Sequence, residues 1–535
     1  MTATWFSILP PLLAIGLALL TRQILPSLLA GVWLGAWLVE GVTLKGLGIS
    51  LLDTVGVYVV DALSDPDHVM IIVFSLMIGG MVGIIRRNGG TDGIVKLVTR
   101  WASTPRRGQA ATGGLGVAVF FDDYANTLVV GNTMRPVTDR LRISREKLAY
   151  LVDSTAAPVA TLGLFTTWIG FQVGLLGEAA DGIGLERTGF AVFVESLAYA
   201  FYPVLAVVLV FAIAASGRDF GPMLKAERRA REGQVLRPGS QLGNSEALAE
   251  ELQPDERTPR RLVNAVVPIV VLITTTLIGL IVTGEGDNAM EVMGDGDAFS
   301  ALLWGSLLAV LVAGVMSVGQ RILTLSETVA SWFSGVTSML YVVIILTMAW
   351  SLSALTEELG TAEFLAGALG DAIPAALLPA ILFVIAAAVA FATGTSWGTM
   401  GILTPLAVPV AWAVLEAQGN AFPEGHPILF ASVSTVLAGA VWGDHCSPIS
   451  DTTVISSLAS QCDVIDHVRT QIPYALYAGA VALVFGLIPV GFGLPWWLAF
   501  PMAVVVLVAG LRLIGKQSPA PAEEAPGETR IAADS

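Results

Sequence analysis

Long uninterrupted apolar runs govern what this chain can become: Val263–Thr283, Met339–Leu355, Leu378–Ala392 and Pro495–Leu511 contain no charged residue. A bilayer core needs about 20 such residues per helix. Backbone in hydrocarbon must also satisfy its own hydrogen bonds, which helices do within one segment. The runs therefore predict an all-α polytopic membrane protein. Charge agrees: 13% of the 535 residues are Asp, Glu, Lys or Arg, against roughly 25% in soluble chains. The start, Met1-Thr-Ala-Thr-Trp-Phe6, has neither a basic region nor a small-residue cleavage site. It reads as the approach to a first span, not a removed signal.

The basic residues orient the spans, because Lys and Arg stay on the cytoplasmic side. The stretch Ser216–Arg261 holds nine of the 28 basic residues, so it is expected to be a cytoplasmic linker. Arg86–Arg107 and Arg135–Lys147 are also rich in basic residues. The acidic stretches Gly284–Asp297, Glu357–Asp371 and Glu416–Glu424 carry no Lys or Arg and are expected outside. Gln109–Met134 then lies between two cytoplasmic segments with only 26 residues, too few for two crossings of ~20 each. It is expected to be a re-entrant hairpin; Ala372–Leu415 is expected to be one entering from the opposite face or, with 44 residues, two full spans. A shift of 270 positions aligns Gly90 with Gly360, Thr91 with Thr361, Phe121 with Phe391 and Gly131 with Gly401. Corresponding flanks are basic in one half and acidic in the other, as inverted repeats require.

The expected organisation is an N-terminal transmembrane repeat (1–215), the linker (216–261), a C-terminal repeat with one extra span (262–515) and a disordered cytoplasmic tail (516–535). Eleven crossings would place the N-terminus outside and both linker and tail in the cytoplasm of a cell (plasma) membrane. Gly31-x-x-x-Gly35 and Gly79-x-x-x-Gly83 are close-approach motifs for helix packing. A net charge of −15 disfavours nucleic acid. The sequence has no G-x-x-x-x-G-K-[ST] phosphate loop, and Cys446 and Cys462 give no disulfide framework. No Ser or Cys sits in a recognisable nucleophile motif, so neither an enzyme nor a cofactor is expected.

Polar residues inside apolar runs are expensive, about 2.5–3.5 kcal/mol per charge at a helix centre. They survive where backbone lines a cavity or is buried in protein. Four stretches qualify. Phe121–Thr127 carries Asp122, Asp123, Asn126 and Thr127 midway along the first hairpin. Asp153–Pro158 carries Asp153, Ser154 and Thr155, and Pro158 is expected to break the helix there. Thr393–Thr399, in register with the first stretch, offers Thr393, Thr395 and Ser396. Gly443–Thr453 carries Asp444, His445, Ser447, Asp451 and Thr452. His445 beside a single Cys reads as a hydrogen-bonded buried histidine, not a transition-metal ligand.

The segments Phe120–Pro158, Phe391–Pro405 and Gly443–Ser457 resemble the NhaC-type sodium/proton antiporter family, within a wider ion-transporter superfamily. The resemblance implies two inverted-topology repeats, each with a re-entrant hairpin and a broken transmembrane helix. It implies that the polar residues just named form the site region. It also implies a homodimer with an elevator-like moving domain. The partners expected are Na+, H+ and the lipid bilayer, with Asp123, Asp153, Asp444 and Asp451 as the Na+ carboxylates. A carboxylate that either ion neutralises would give exchange, since the empty charged site would not cross. Because the resemblance extends to carriers of organic acids and amino acids, Na+- or H+-coupled transport of those solutes is the alternative.

Overall fold

The computed structural model describes residues 4–21, 23–93, 101–240, 258–284, 296–361, 364, 374–420, 422 and 425–517. Of the expected disordered tail 516–535, residues 518–535 lie outside the described residues, whereas Lys516 and Gln517 are ordered, paired with Arg218–Asp219 through backbone hydrogen bonds. Parts of the linker and of the three acidic stretches lie outside them too.

Helices α1 (Leu9–Thr21) and α2 (Ile24–Val39) pack together and lead into α3 (Leu44–Ser64), which has a π-helical stretch at Thr54–Val59. Helix α4 (Pro66–Arg87) starts where the Asp65 carboxylate accepts from the Asp67 and His68 amides and Pro66 presets the first turn. The next two helices, α5 (Pro105–Ala118) and α6 (Asp123–Arg140), pack on each other across a break at 119–122. Helix α7 (Arg145–Leu162), capped by Ser144, is separated from α8 (Ile169–Asp181) by irregular backbone. Helices α9 (Gly189–Tyr199) and α10 (Phe201–Ser216) are bent by 49° at their junction. The linker contributes the polar helix α11 (Gly221–Arg231).

The second half runs through α12 (Val263–Thr283), α13 (Ala298–Gly319) and α14 (Leu325–Glu358), the last opened by a capping box of Thr324 and Glu327. A second helix pair, α15 (Leu378–Thr393) and α16 (Ser396–Ala417), is joined through Gly394 at φ +73. A second broken helix follows, α17 (Pro427–Cys446) and α18 (Asp451–Ser460), interrupted at 447–450. The chain ends in α19 (Val464–Gly491) and α20 (Trp496–Ile514). A short antiparallel pairing of Arg218–Asp219 with Lys516–Gln517 ties the linker to the far end of α20.

Ten described helices are long and apolar enough to cross a membrane, eleven with the bent pair α9–α10. This is a multi-pass membrane protein. The order of a helix pair joined by a short break, followed by a broken helix, occurs twice. One expectation is corrected. Helix α7 runs unbroken through Asp153–Pro158 with Pro158 inside it, and the interruption falls at 163–168. Proline removes one amide donor, and a helix packed on several sides tolerates that loss. Extended backbone at Gly163 (φ −80, ψ 128) ends the helix instead.

Small residues let the helices touch. Gly79 and Gly83 of α4 face the backbone of Gly335 in α14 closely enough that no Cβ would fit. A Cβ at Gly131 of α6 would stand 2.6 Å from Ala459 of α18. Helices α7 and α17 are buried along nearly their whole length and form the centre of the bundle.

Candidate functional site

The interruptions are linked in series by contacts between neighbouring elements. The Thr167 amide in the α7–α8 break donates to the Phe121 carbonyl in the α5–α6 break at 2.9 Å. Trp168, in the same α7–α8 break, sets its ring 4.8 Å from that of Trp397 in the first turn of α16, tilted by 50°. The α15–α16 junction presses on the α17–α18 break: a Cβ on Gly394 would sit 2.8 Å from the Ile449 carbonyl. The α17–α18 break returns to α7 through Thr453.

Thr453 points to the centre of the site. Asp153, fully buried on α7, is approached by side chains from α18 and α19. Thr453 Oγ1 donates to it at 3.3 Å, Ser456 Oγ at 3.2 Å and Gln471 Nε2 at 2.5 Å. His467 Nε2 stands 3.4 Å from Asp153 Oδ2, with both residues fully buried. Gln471 also donates to the His445 carbonyl at 3.0 Å. Thr453 Oγ1 also lies 3.4 Å from the main-chain carbonyl of Asp444, so the backbone of that residue adjoins the network. Asp444 is fully buried and accepts from Thr452 Oγ1 at 2.9 Å. His445 Nδ1 lies 2.8 Å from the Tyr202 hydroxyl.

Local sequence explains the placement. Ser450 caps α18 and projects Thr453 and Ser456, one turn apart, toward α7. Asp463 caps α19, and His467 and Gln471 fall at i and i+4 on one face of it. Sequence reasoning missed this pair, because Asp466 and Arg469 beside His467 make the start of α19 polar as a whole. Thr453, Ser456 and Tyr202 were missed as well.

Among the residues expected from sequence, Asp153, Asp444 and Thr452 are brought together. Asn126 does something else. Its amide donates to the Gly116, Val119 and Thr155 carbonyls at 2.6, 3.3 and 3.1 Å, stitching the α5–α6 break to α7. Thr127 and Thr155 bond back to carbonyls one turn earlier. Asp122 and Asp123 are buried at the start of α6, with Asp122 in electrostatic reach of Arg86. Thr393 bonds back within α15, and Thr395 caps α16. Ser396 Oγ donates to Ala440 on α17 at 3.4 Å. Ser154 is buried on α7, and Ser447 Oγ accepts from the Ile449 amide at the α17–α18 break. Asp451 opens α18, but its side chain lies outside the description. Among the described residues no three His, Cys, Asp or Glu side chains converge as a metal cluster.

Comparison with known proteins agrees with this architecture. The model of the Na+/H+ antiporter family matches residues 159–492. A Haemophilus influenzae protein is 33% identical over 531 residues, covering 96% of each chain. The arginine/ornithine antiporter ArcD of Halobacterium salinarum is 28% identical over 44% of this chain and 42% of its own length. The structure of Neisseria gonorrhoeae MtrF, described as one of a class of antimetabolite efflux pumps, covers 84% of this chain and 86% of its own. Its TM-score is 0.56 at 16% identity, a likeness of fold alone. Membrane-length helices, paired interruptions around a buried polar centre and a family match over more than half the chain lead to one conclusion: this protein belongs to the Na+/H+ antiporter family and is a secondary transporter.

Proposed function

We propose that the chain exchanges Na+ for H+ by alternating access, with Asp153 as the carboxylate that both ions neutralise. One observation carries the reading. The ion-pair partner of this fully buried acid among the described residues is a histidine, His467. Histidine can carry or release a proton near neutral pH, whereas a lysine would hold its charge. With the proton on the Asp153–His467 pair that pair is neutral. With Na+ on Asp153 and His467 uncharged it is neutral again, and the hydroxyls of Thr453 and Ser456 turn their oxygens to the cation. Empty and deprotonated, the pair carries one negative charge more than in either loaded state, and moving that charge through a low-dielectric barrier is costly. Exchange follows from that penalty.

Asp444, Thr452 and Ser447 extend the oxygen-rich wall, and we assign Asp451, the first residue of α18, to the same site from its place in the sequence. Asp122 and Asp123 form the corresponding acidic entrance at the α5–α6 break. The two series of helix pair and broken helix are inverted repeats, with the basic linker between them on the cytoplasmic side. Likeness to ArcD supports a second reading, exchange of amino acids through the same centre.

In everted vesicles holding the purified chain, Na+ should dequench a pH dye, and Asp153→Asn should abolish the response. Retained exchange in that variant would remove Asp153 from the mechanism. Arginine uptake with no Na+-driven proton flux would favour the second reading.

A further inference from the structure

The linker between Arg218 and Ser240 holds two of the three helices that build the Asp153 centre, α7 and α19. It grips α7 at its first turn. Asp219 pairs with Lys147, both buried; Arg229 reaches Glu146 at 2.8 Å; and Glu227 accepts from the Ser144 amide and hydroxyl at 2.8 Å each. It grips α19 at two levels. Arg237 Nε lies 2.7 Å from Asp466 Oδ2, with the Ser240 hydroxyl donating to the same oxygen. Farther in, the Tyr474 hydroxyl donates at 2.7 Å to Asp219, and the Phe220 ring stacks on Tyr474 at 4.3 Å. Asp219 therefore bridges α7 and α19.

The bridge is in line with the centre. His467, Gln471 and Tyr474 fall at i, i+4 and i+7 of α19, one continuous stripe. Lys147 precedes Asp153 by six residues, roughly 9 Å along the helix axis. Buried ion pairs gain little over apolar packing, because desolvation offsets their attraction. They have a property apolar contacts lack: water entering between the partners resolvates both charges. A contact made this way can hold two helices together and still part.

We propose that the folded linker segment 218–240 is the gate on its side of the membrane, holding α7 and α19 together over Asp153 and releasing them during each transport cycle. The proposal rests on the reading of Asp153 as the exchange site. The chain contains its own reporter. Cys462 lies between α18 and α19, 4% exposed, in electrostatic contact with Glu146 and Arg229. Burial pushes its thiol well above the usual range, so it reacts slowly while the segment is closed.

The test is labelling of Cys462 by a membrane-impermeant maleimide in the full chain. Vesicles of both orientations are used at fixed pH, with NaCl or choline chloride gradients in either direction, and the site of labelling is read by peptide mass spectrometry. From the linker face, the labelling rate should change severalfold with the direction of the Na+ gradient. Arg229→Gln/Arg237→Gln should label about tenfold faster in every condition, equivalent to removing roughly 1.4 kcal/mol of closure. A rate that stays the same under all gradients, or an equal rate in the double variant, would overturn the gate. Proton flux recorded in the same vesicles keeps the two ideas apart. Flux with constant labelling sinks the gate alone, and gradient-dependent labelling without Na+-driven proton flux sinks the exchange reading alone.

Discussion

Lys147 and Asp153 sit six residues apart on α7, both fully buried, and they are neutralised in opposite ways. Lys147 meets a full countercharge, Asp219, on the linker. Asp153 meets hydroxyls, an amide and a histidine. A fixed cation beside a carboxylate leaves no room in the charge balance for a mobile ion. Neutral donors and an ionisable histidine leave that balance open. One helix thus carries an ion-paired charge at its end and, at its middle, a carboxylate held by neutral donors and a histidine.

The largest effect should separate them. Asp153→Asn is expected to cut exchange by roughly 10²–10³, the equivalent of about 3–4 kcal/mol. The protein should stay folded, because the Asn oxygen can still accept from Thr453 and Gln471 while its NH2 donates to the Ser456 hydroxyl oxygen. Dye dequenching and thermal unfolding in detergent would check both halves of this statement. Lys147→Met should show the reverse emphasis. It strands Asp219 and should cost about 3–5 kcal/mol of stability, and adding Asp219→Asn should recover part of that loss. If the double variant is no more stable than the single one, the charge pairing is not what matters there.

Gln471→Ala should be milder. Asp153 and the His445 carbonyl each lose one donor, worth about 1–3 kcal/mol for buried groups, and the apparent affinity for Na+ should change more than the unfolding midpoint. The smallest effect belongs to a control far from both regions. Thr324→Ala should cost about 0.5–2 kcal/mol at the start of α14 and leave exchange unchanged. Thermal unfolding of the native chain against Thr324→Ala, with dye dequenching on both, checks this.

Much of the fold was legible because hydropathy and capping are local. Val263–Thr283 was read from composition and is α12 residue for residue. The polar interruptions at Phe121–Thr127, Thr393–Thr399 and Gly443–Thr453 each contain a break between helices. Pro158 misled, because a proline penalty is also local and tertiary packing around α7 outweighs it. Within the site, Asp153 and Asp444 stood out as acids in apolar runs. Their neighbours did not, since Ser and Thr are common in membrane helices and His467 lies in a segment with charged residues on either side.

What the sequence by itself determined is the class of solvent, the position of most helices and the acids that lipid would forbid. Each follows from the chemistry of a short window. What only the tertiary structure decided is partnership: Asp153 with Thr453, Ser456, His467 and Gln471, some 300 residues away, and Lys147 with Asp219 on the linker. Pairings over such distances arise from how helices cross, and no periodicity in a local window encodes which faces will meet.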